Sequence, residues 1–309
     1  MEKNNLLLIT KDYNQWIHSE PIYLQEELKK ITNLFVWNSS GNIHEILNNI
    51  NFVPNFILIY LFDTEAPKIT GLATLRIPFG IYLEDLHHFP DRTNEAMKRD
   101  NVQYIFTCYK EVFSKFYPEF SNIIKWLPHH VNTEIFKDYG KVKDIDMLLM
   151  GATNPYYYPL RYKILLSYRD KNNFRYHPHP GYKYINNEQV YNLFIKERYA
   201  QEINRAKIFF TCNSIYRYTV LKYLEVLACN TLLLAPSSNE VLDLGLKPGV
   251  HFVEINENNF KEKAEYYLNN DKEREEISKN GYNLVQKMHS TSIRAQHLIE
   301  MIQEIVRGG

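Results

Sequence analysis

No apolar run in the 309-residue chain approaches the ~20 residues that a membrane-spanning helix needs. The N-terminal MEKNNLLLITKD holds too short an apolar stretch for a signal peptide, so a cytoplasmic protein without a membrane span is expected. Charge of one sign is also missing, since 36 Lys+Arg balance 36 Asp+Glu. That balance removes the broad attraction by which a protein tracks nucleic acid or an anionic membrane, and nucleic acid is not an expected partner. A local basic pocket remains compatible with it. Cysteine is scarce: Cys108, Cys212 and Cys229 are odd in number and lack CxxC spacing. They exclude a disulfide framework and a zinc knuckle, and three buried free thiols are expected. Internal repeats and low-complexity tracts are absent too.

What the chain does have is apolar surface, with 45% hydrophobic and 14% aromatic residues, enough to bury and too much for disorder. Its 309 residues suit about two domains of ~150 each. Short apolar runs alternate with helical patterns from the start: NLLLIT, YLQEELKKI, LFVW, IHEILNNI, FILIYLF, FGIYL, a polar helix, YIFTCY and IIKWL. Such alternation predicts a parallel sheet covered on both faces. The polar segment PHHVNTEIFKDYGKVK, with Pro128 and Gly140, reads as a linker over about 128–142. The scheme then restarts with IDMLLMG, a helix over about 158–168, FRYHP, a helix over about 187–195, KIFFTC, a helix from near Tyr218, TLLLAP and HFVEI. From Asn259 onward the pattern is amphipathic helix.

In an open parallel sheet, ligands bind beyond the carboxyl ends of the strands. The polar residues that follow each strand are therefore the candidates. Glu84, Asp85, His87, His88 and Asp91 follow FGIYL; Gly151, Asn154, Tyr156 to Tyr158 and Arg161 follow IDMLLM; His179, Gly181 and Tyr182 follow FRYHP. Asn213, Ser214, Arg217 and Tyr218 follow KIFFTC, and Ser237, Ser238 and Glu240 follow TLLLAP. On the helix near Tyr218, Lys222 and Glu225 are spaced i, i+3 on one face. A lysine at a helix start suits phosphate, and a carboxylate beside it can accept two sugar hydroxyls, a pairing that fits a nucleotide diphosphate and its ribose. A Lys–Glu ion pair on a solvated face satisfies the same spacing.

KYLEVLACNTLLLAP resembles the K-x-x-E-x-x-A-x-G-x-x-x-L stretch of glycosyltransferases with the two-Rossmann-domain GT-B fold, most closely the spore-maturation, CgeB-like branch of group 1. PHHVNTEIFKD is similar to that family's interdomain P-x-x-V-D-x-x-x-F segment, KDIDMLLMG to the first strand of its second domain, and SIRAQHLIEMI after His289 to its closing helix. The resemblance spans about residues 77–300. It implies an α/β fold of two Rossmann-like parallel-sheet domains facing a cleft: an acceptor domain over 1–135, a donor domain over 136–285 and a closing helix over 286–309 that crosses back.

The implied activity is hexosyl transfer, metal-independent and without a cofactor, from a nucleotide-sugar donor, UDP preferred over GDP or ADP, to a hydroxyl on a surface polymer, glycan or protein. By the same resemblance Glu225 holds the ribose, Lys222 and Arg217 the diphosphate, and Gly151 lets the backbone approach the donor. His179 and Tyr182 meet the base across the rigid HPHPGYKY loop with Gly181, while Arg161, Asn213, Ser214 and Tyr218 complete the donor set. Asp85 and His87 serve the reaction from the first domain, as general base or charge stabiliser. Asp85, His87, His88 and Asp91 also admit readings as a metal site or a surface cluster without chemistry. Two positions depart from the family: Asn230 replaces the usual glycine, and Arg217 stands where retaining members carry a second carboxylate. Retention of configuration is therefore left open. Rival functions are a nucleotide-sugar 2-epimerase and a non-catalytic sugar-nucleotide-binding or scaffold protein.

Overall fold

The structure is a computed structural model that describes residues 4–186, 188 and 192–308. The chain folds as two compact units, Met1–Asn14 with Pro21–Pro128 and Ser292–Gly309, and Gln15–Glu20 with His129–Thr291.

In the first unit the elements run β1 (Asn5–Ile9), α1 (Glu20–Ile31), β2 (Asn33–Trp37), β3 (Gly41–Asn42), α2 (Ile43–Asn49), β4 (Phe56–Tyr60), β5 (Ile69–Thr70), β6 (Phe79–Leu83), α3 (Pro90–Arg99), β7 (Ile105–Thr107), α4 (Phe113–Phe116) and β8 (Ile124–Trp126). Six strands form a parallel sheet in the order β2-β1-β4-β6-β7-β8, while β3 and β5 make a small separate pair. Leu6, Leu7, Ile57, Leu58, Ile81 and Ile105 are all at most 1% exposed. Burial on both faces is why these strands read as continuous apolar runs and not as alternating ones. Gly80 in β6 is fixed by packing: a Cβ there would come within 2.8 Å of the Phe106 ring and 3.0 Å of the Phe56 ring.

The second unit runs β9 (Ile145–Met150), α5 (Pro159–Tyr168), β10 (Phe174–His177), α6 (Lys196–Asn204), β11 (Ala206–Phe210), α7 (Lys222–Ala228), β12 (Leu232–Ala235), α8 (Asn239–Asp243), β13 (Val253–Glu254), α9 (Phe260–Asn269) and α10 (Asp271–Met288). Its parallel sheet has the order β10-β9-β11-β12-β13. The winding direction therefore reverses between β9 and β11, which opens a crevice at their carboxyl ends. A core of Met147, Leu149, Ile164, Ile208, Phe210, Leu232 and Leu234 holds the sheet to its helices. Gly281 lets α10 lie close: a Cβ would meet the His251 carbonyl oxygen at 2.5 Å and Leu227 at 2.7 Å. The last helix, α11 (Thr291–Gly308), falls from Ser292 onward in the first unit.

Two expectations need correction. The helix expected from Tyr218 begins at Lys222, because residues 213–221 run as turns and irregular chain with Arg217 at φ +65. α6 was not among the expected elements; only Tyr199, Ala200 and Ile203 make its apolar face. Of the helix expected over 187–195, residues 187 and 189–191 lie outside the described residues. All three cysteines are buried thiols outside any disulfide among the described residues. Asn230 takes φ +52, a left-handed conformation that asparagine tolerates better than most residues, and its side-chain amide donates to Asp138 at 2.8 Å. The turn that glycine usually makes is thus closed here by asparagine. Among the described residues, no helix is long and apolar enough to cross a membrane.

Candidate active site

At the carboxyl end of β9, Gly151 has φ +120, a conformation that side chains rarely permit. A Cβ on it would lie 2.9 Å from Cε of Lys222, 3.5 Å from its Nζ and 3.7 Å from Nη1 of Arg161. Backbone and space both require glycine, and two cations converge above it.

Arg161, in the first turn of α5, is buried. Its Nη2 donates to Thr211 Oγ1 at 2.9 Å and to the Cys212 carbonyl at 2.8 Å, and Nη1 donates to the Ala152 carbonyl at 3.3 Å. The guanidinium lies 4.2 Å over the Tyr158 ring, while its Nε is buried without a hydrogen-bond partner. The loops after β9 and β11 thus position a cation that no carboxylate neutralises by direct hydrogen bonding among the described residues.

Lys222 opens α7, with Nζ 5.6 Å from the centre of the Tyr199 ring, and it forms no ion pair among the described residues. Burial lowers its pKa, opposed by Glu225 and assisted by Arg161. Glu225, one turn on, is only 8% exposed. Burial raises its pKa against the opposing pull of Lys222, and its Oε2 accepts from the Tyr199 hydroxyl at 3.2 Å. The two charges are therefore not an ion pair on a solvated face. They are desolvated neighbours at the crevice.

The loop after β10 adds His179, whose Nδ1 accepts from the Gly181 N–H at 3.0 Å and whose ring lies 4.7 Å from that of Tyr182. Burial, then the charges of Lys222, His18 and Arg161, bring its pKa down to about 4, so it is neutral at ordinary pH. Gly181 turns at φ +86, and Tyr182 is 71% exposed. After β11, Asn213 is half-buried, and Ser214 shapes a turn: its Oγ accepts from Tyr216 N–H at 3.3 Å and its carbonyl from Arg217 N–H at 2.8 Å. Arg217 is exposed on that turn, whereas Tyr218 is buried. The cation held in the crevice beside Lys222 is Arg161.

Sequence reasoning missed Tyr199 and Thr211, which hold Glu225 and Arg161, and it missed the segment Gln15–Glu20 entirely. This segment lies in the second unit, where Ile185 N–H donates to the Gln15 carbonyl at 2.8 Å, Ile17 N–H donates to the Lys183 carbonyl at 3.2 Å, and Trp16 packs edge-on against Tyr184. Glu20 is buried, with His129 Nδ1 at 3.1 Å from both carboxylate oxygens, the His130 N–H at 3.1 Å from Oε1 and His18 Nε2 at 3.4 Å from Oε2. No motif marks residues 15–20, since they sit between a strand and a helix of the other unit.

In the first unit, Asp85 and His88 follow β6, both exposed, at 3.9 Å from one another. His87 is half-buried and its ring lies 4.3 Å from that of His88; burial, then His88, lowers its pKa. Among the described residues, Asp85, His87, His88 and Asp91 do not converge at metal-ligand distance.

Residues 158–300 match a family model described as glycosyl transferase-like. The match contains Arg161, His179, Tyr199, Lys222 and Glu225. No curated protein sequence matches the chain. Among solved structures, a glycosyltransferase from Rickettsia africae ESF-5 superposes with a TM-score of 0.62 at 10% identity, covering 100% of both chains. Anabaena Alr3699/HepE in complex with UDP-glucose gives 0.62 at 8% identity over 97% of this chain and 99% of that one. AviGT4, a glycosyltransferase of avilamycin A biosynthesis, gives 0.59 at 10% identity over 99% of each. The fold is thus α/β, with parallel sheets in two Rossmann-like domains, as in GT-B glycosyltransferases.

Proposed function

We propose that the chain is a group-1 glycosyltransferase of the CgeB-like branch, a cytoplasmic, metal-independent hexosyltransferase without a cofactor. It takes a sugar from a nucleotide-diphosphate donor, UDP preferred, and passes it to a hydroxyl on a surface polymer, glycan or protein. The observation that carries this reading is the convergence of Lys222 and Arg161 on Gly151 beside the buried Glu225. Lys222 is half-buried and forms no ion pair among the described residues; a partly desolvated ammonium is costly to leave unpaired, and a diphosphate supplies a counter-charge through charge-assisted hydrogen bonds. Gly151 lets that anion reach the backbone, and Glu225 offers its carboxylate to the ribose hydroxyls.

Arg161 joins Lys222 on the diphosphate, with Arg217 on its exposed turn as a further phosphate contact. Neutral His179 and the exposed Tyr182 suit the base, Asn213, Ser214 and Tyr218 bound the pocket, and Asp85 and His87 serve the acceptor hydroxyl. The preference for UDP is supported by the UDP-glucose complex of the Anabaena protein. The test is incubation with UDP-glucose and UDP-N-acetylglucosamine without acceptor. Slow release of free, unepimerised sugar that disappears in Lys222→Ala is expected; release of an epimerised sugar, or no turnover and no nucleotide binding, would contradict the reading.

A further inference from the structure

Between α6 and β10, the strand at one edge of the second sheet, the second unit holds a cavity of about 360 Å³, a volume in the range of small-ligand pockets. Its charge is one-sided. Lys141, Arg175, Arg198 and Arg205 line it against the single carboxylate of Glu202, and the lining includes neither Arg161 nor Lys222 nor Glu225 of the Gly151 crevice. The Glu202 side chain is only 6% exposed and is held by three groups: Oε1 meets Arg175 Nη1 at 3.1 Å and His177 Nε2 at 2.9 Å, and Oε2 accepts from Arg205 Nη1 at 2.9 Å. Burial raises its pKa, but the hydrogen bonds of His177 and Arg175 and the charge of Arg205 outweigh it and bring the value to about 2, so Glu202 stays ionised and fixes the guanidiniums around it.

One carboxylate does not balance this group. Arg205 finds a second one, placing the planar fork of Nε and Nη2 on Asp144 at 2.9 and 2.6 Å. Arg175 holds Glu202 through Nη1 alone, and among the described residues its own Nε and Nη2 fork makes no hydrogen bond. Lys141 is exposed and forms no ion pair among the described residues. With Asp144 included, four cations still face two carboxylates. Phe194 adds an apolar wall, its ring 4.0 Å from that of His177 and 4.8 Å from the Arg198 guanidinium.

We infer that this cavity is a second anion site, which takes the phosphate group of a small organic phosphomonoester on the Arg175 fork and the Lys141 ammonium, with the organic body against Phe194. Two parallel N–H donors match two oxygens of a phosphate, and a charge near −2 at neutral pH balances the excess of two cations. The volume leaves room for more than the phosphate group. The inference stands apart from the donor-site reading, since the two places share no cation.

The test is calorimetric titration of the whole protein with glycerol 3-phosphate, inorganic phosphate and glycerol, using wild type, Arg175→Gln, Arg175→Lys, Lys141→Gln and Lys222→Ala. Wild type should bind glycerol 3-phosphate more tightly than inorganic phosphate and should not bind glycerol. Arg175→Gln should weaken that binding about tenfold, the scale of a lost charge-assisted contact, and Arg175→Lys nearly as much, because the charge stays and the fork goes. Lys141→Gln, at an exposed side chain whose loss leaves the fold intact, should weaken it about threefold, and Lys222→Ala should leave it unchanged. No binding to wild type, or affinity untouched in both Arg175→Gln and Lys141→Gln, overturns the site. Loss of binding in Lys222→Ala places the anion at the Gly151 crevice and overturns it equally. A lower melting temperature in Arg175→Gln with unchanged affinity reduces the cluster to an ion-pair network. Inorganic phosphate bound as tightly as glycerol 3-phosphate overturns the place given to the organic body.

Discussion

The loop after β6 and the loops after β9 and β11 occupy equivalent places, each beyond the carboxyl ends of a parallel sheet, yet they treat charge differently. After β6, the side chains of Asp85 and His88 are 55% and 52% exposed and reach each other only at 3.9 Å. In the second unit, Glu225 is 8% exposed and Arg161 3%, and the polar groups around them are shared among several loops. Exposed charges cost little to keep and contribute little to stability. Buried ones must be compensated, so a buried, incompletely compensated cluster says more about a ligand than an exposed one of the same residue types.

The sharpest way to break the comparison is Gly151→Val, expected to abolish nucleotide binding and lower the melting temperature, because the φ of +120 and the Lys222 side chain both exclude a Cβ. Calorimetry with a thermal melt checks it; normal affinity would show that the approach to Gly151 is unused. Next is Glu225→Ala, expected to weaken nucleotide binding by roughly 1.5 to 3 kcal/mol if the carboxylate accepts ribose hydroxyls. Glu225→Gln separates function from stability. Because burial raises the Glu225 pKa above its unfolded value, the favourable contribution of its protonated form is present in acid and lost as pH rises through the folded pKa. Glu225→Gln should therefore melt at or above wild type at pH 7 and still bind nucleotide poorly.

In the first unit, Asp85→Asn should leave donor affinity and melting temperature nearly unchanged and lower turnover, so a pure loss of donor affinity would contradict its role. The smallest effect concerns His179. Its folded pKa of about 4 lies below the ordinary histidine value of 6.5. The unfolded chain binds the extra proton between those values, so its contribution to stability is present above pH 6.5 and declines as pH falls toward 4. His179→Asn should flatten that slope in pH-dependent melting.

Much of this was legible in the residues. Unbroken apolar runs marked the strands because both sheet faces are covered, and the i, i+3 spacing of Lys222 and Glu225 marked the pair that ends in the crevice. Arg161 and His179 were legible as residues that follow strands. Spacing could not reveal which residues would be buried: the bonds to Thr211 and Cys212 hold Arg161 buried, whereas Arg217, which the family resemblance assigns to the diphosphate, stands on an exposed turn. Tyr199 was hidden because α6 has a weak apolar pattern. His18 and Glu20 were hidden because their place depends on pairing with residues 183–185, more than 160 positions away.

The most direct test of the account is a calorimetric titration of wild type and Lys222→Ala with UDP, GDP, ADP and CDP. The account predicts binding selective for UDP that falls by an order of magnitude or more in Lys222→Ala, the scale of a lost charge-assisted phosphate contact. Silence of wild type across the panel, or UDP binding untouched by loss of the lysine, would contradict it.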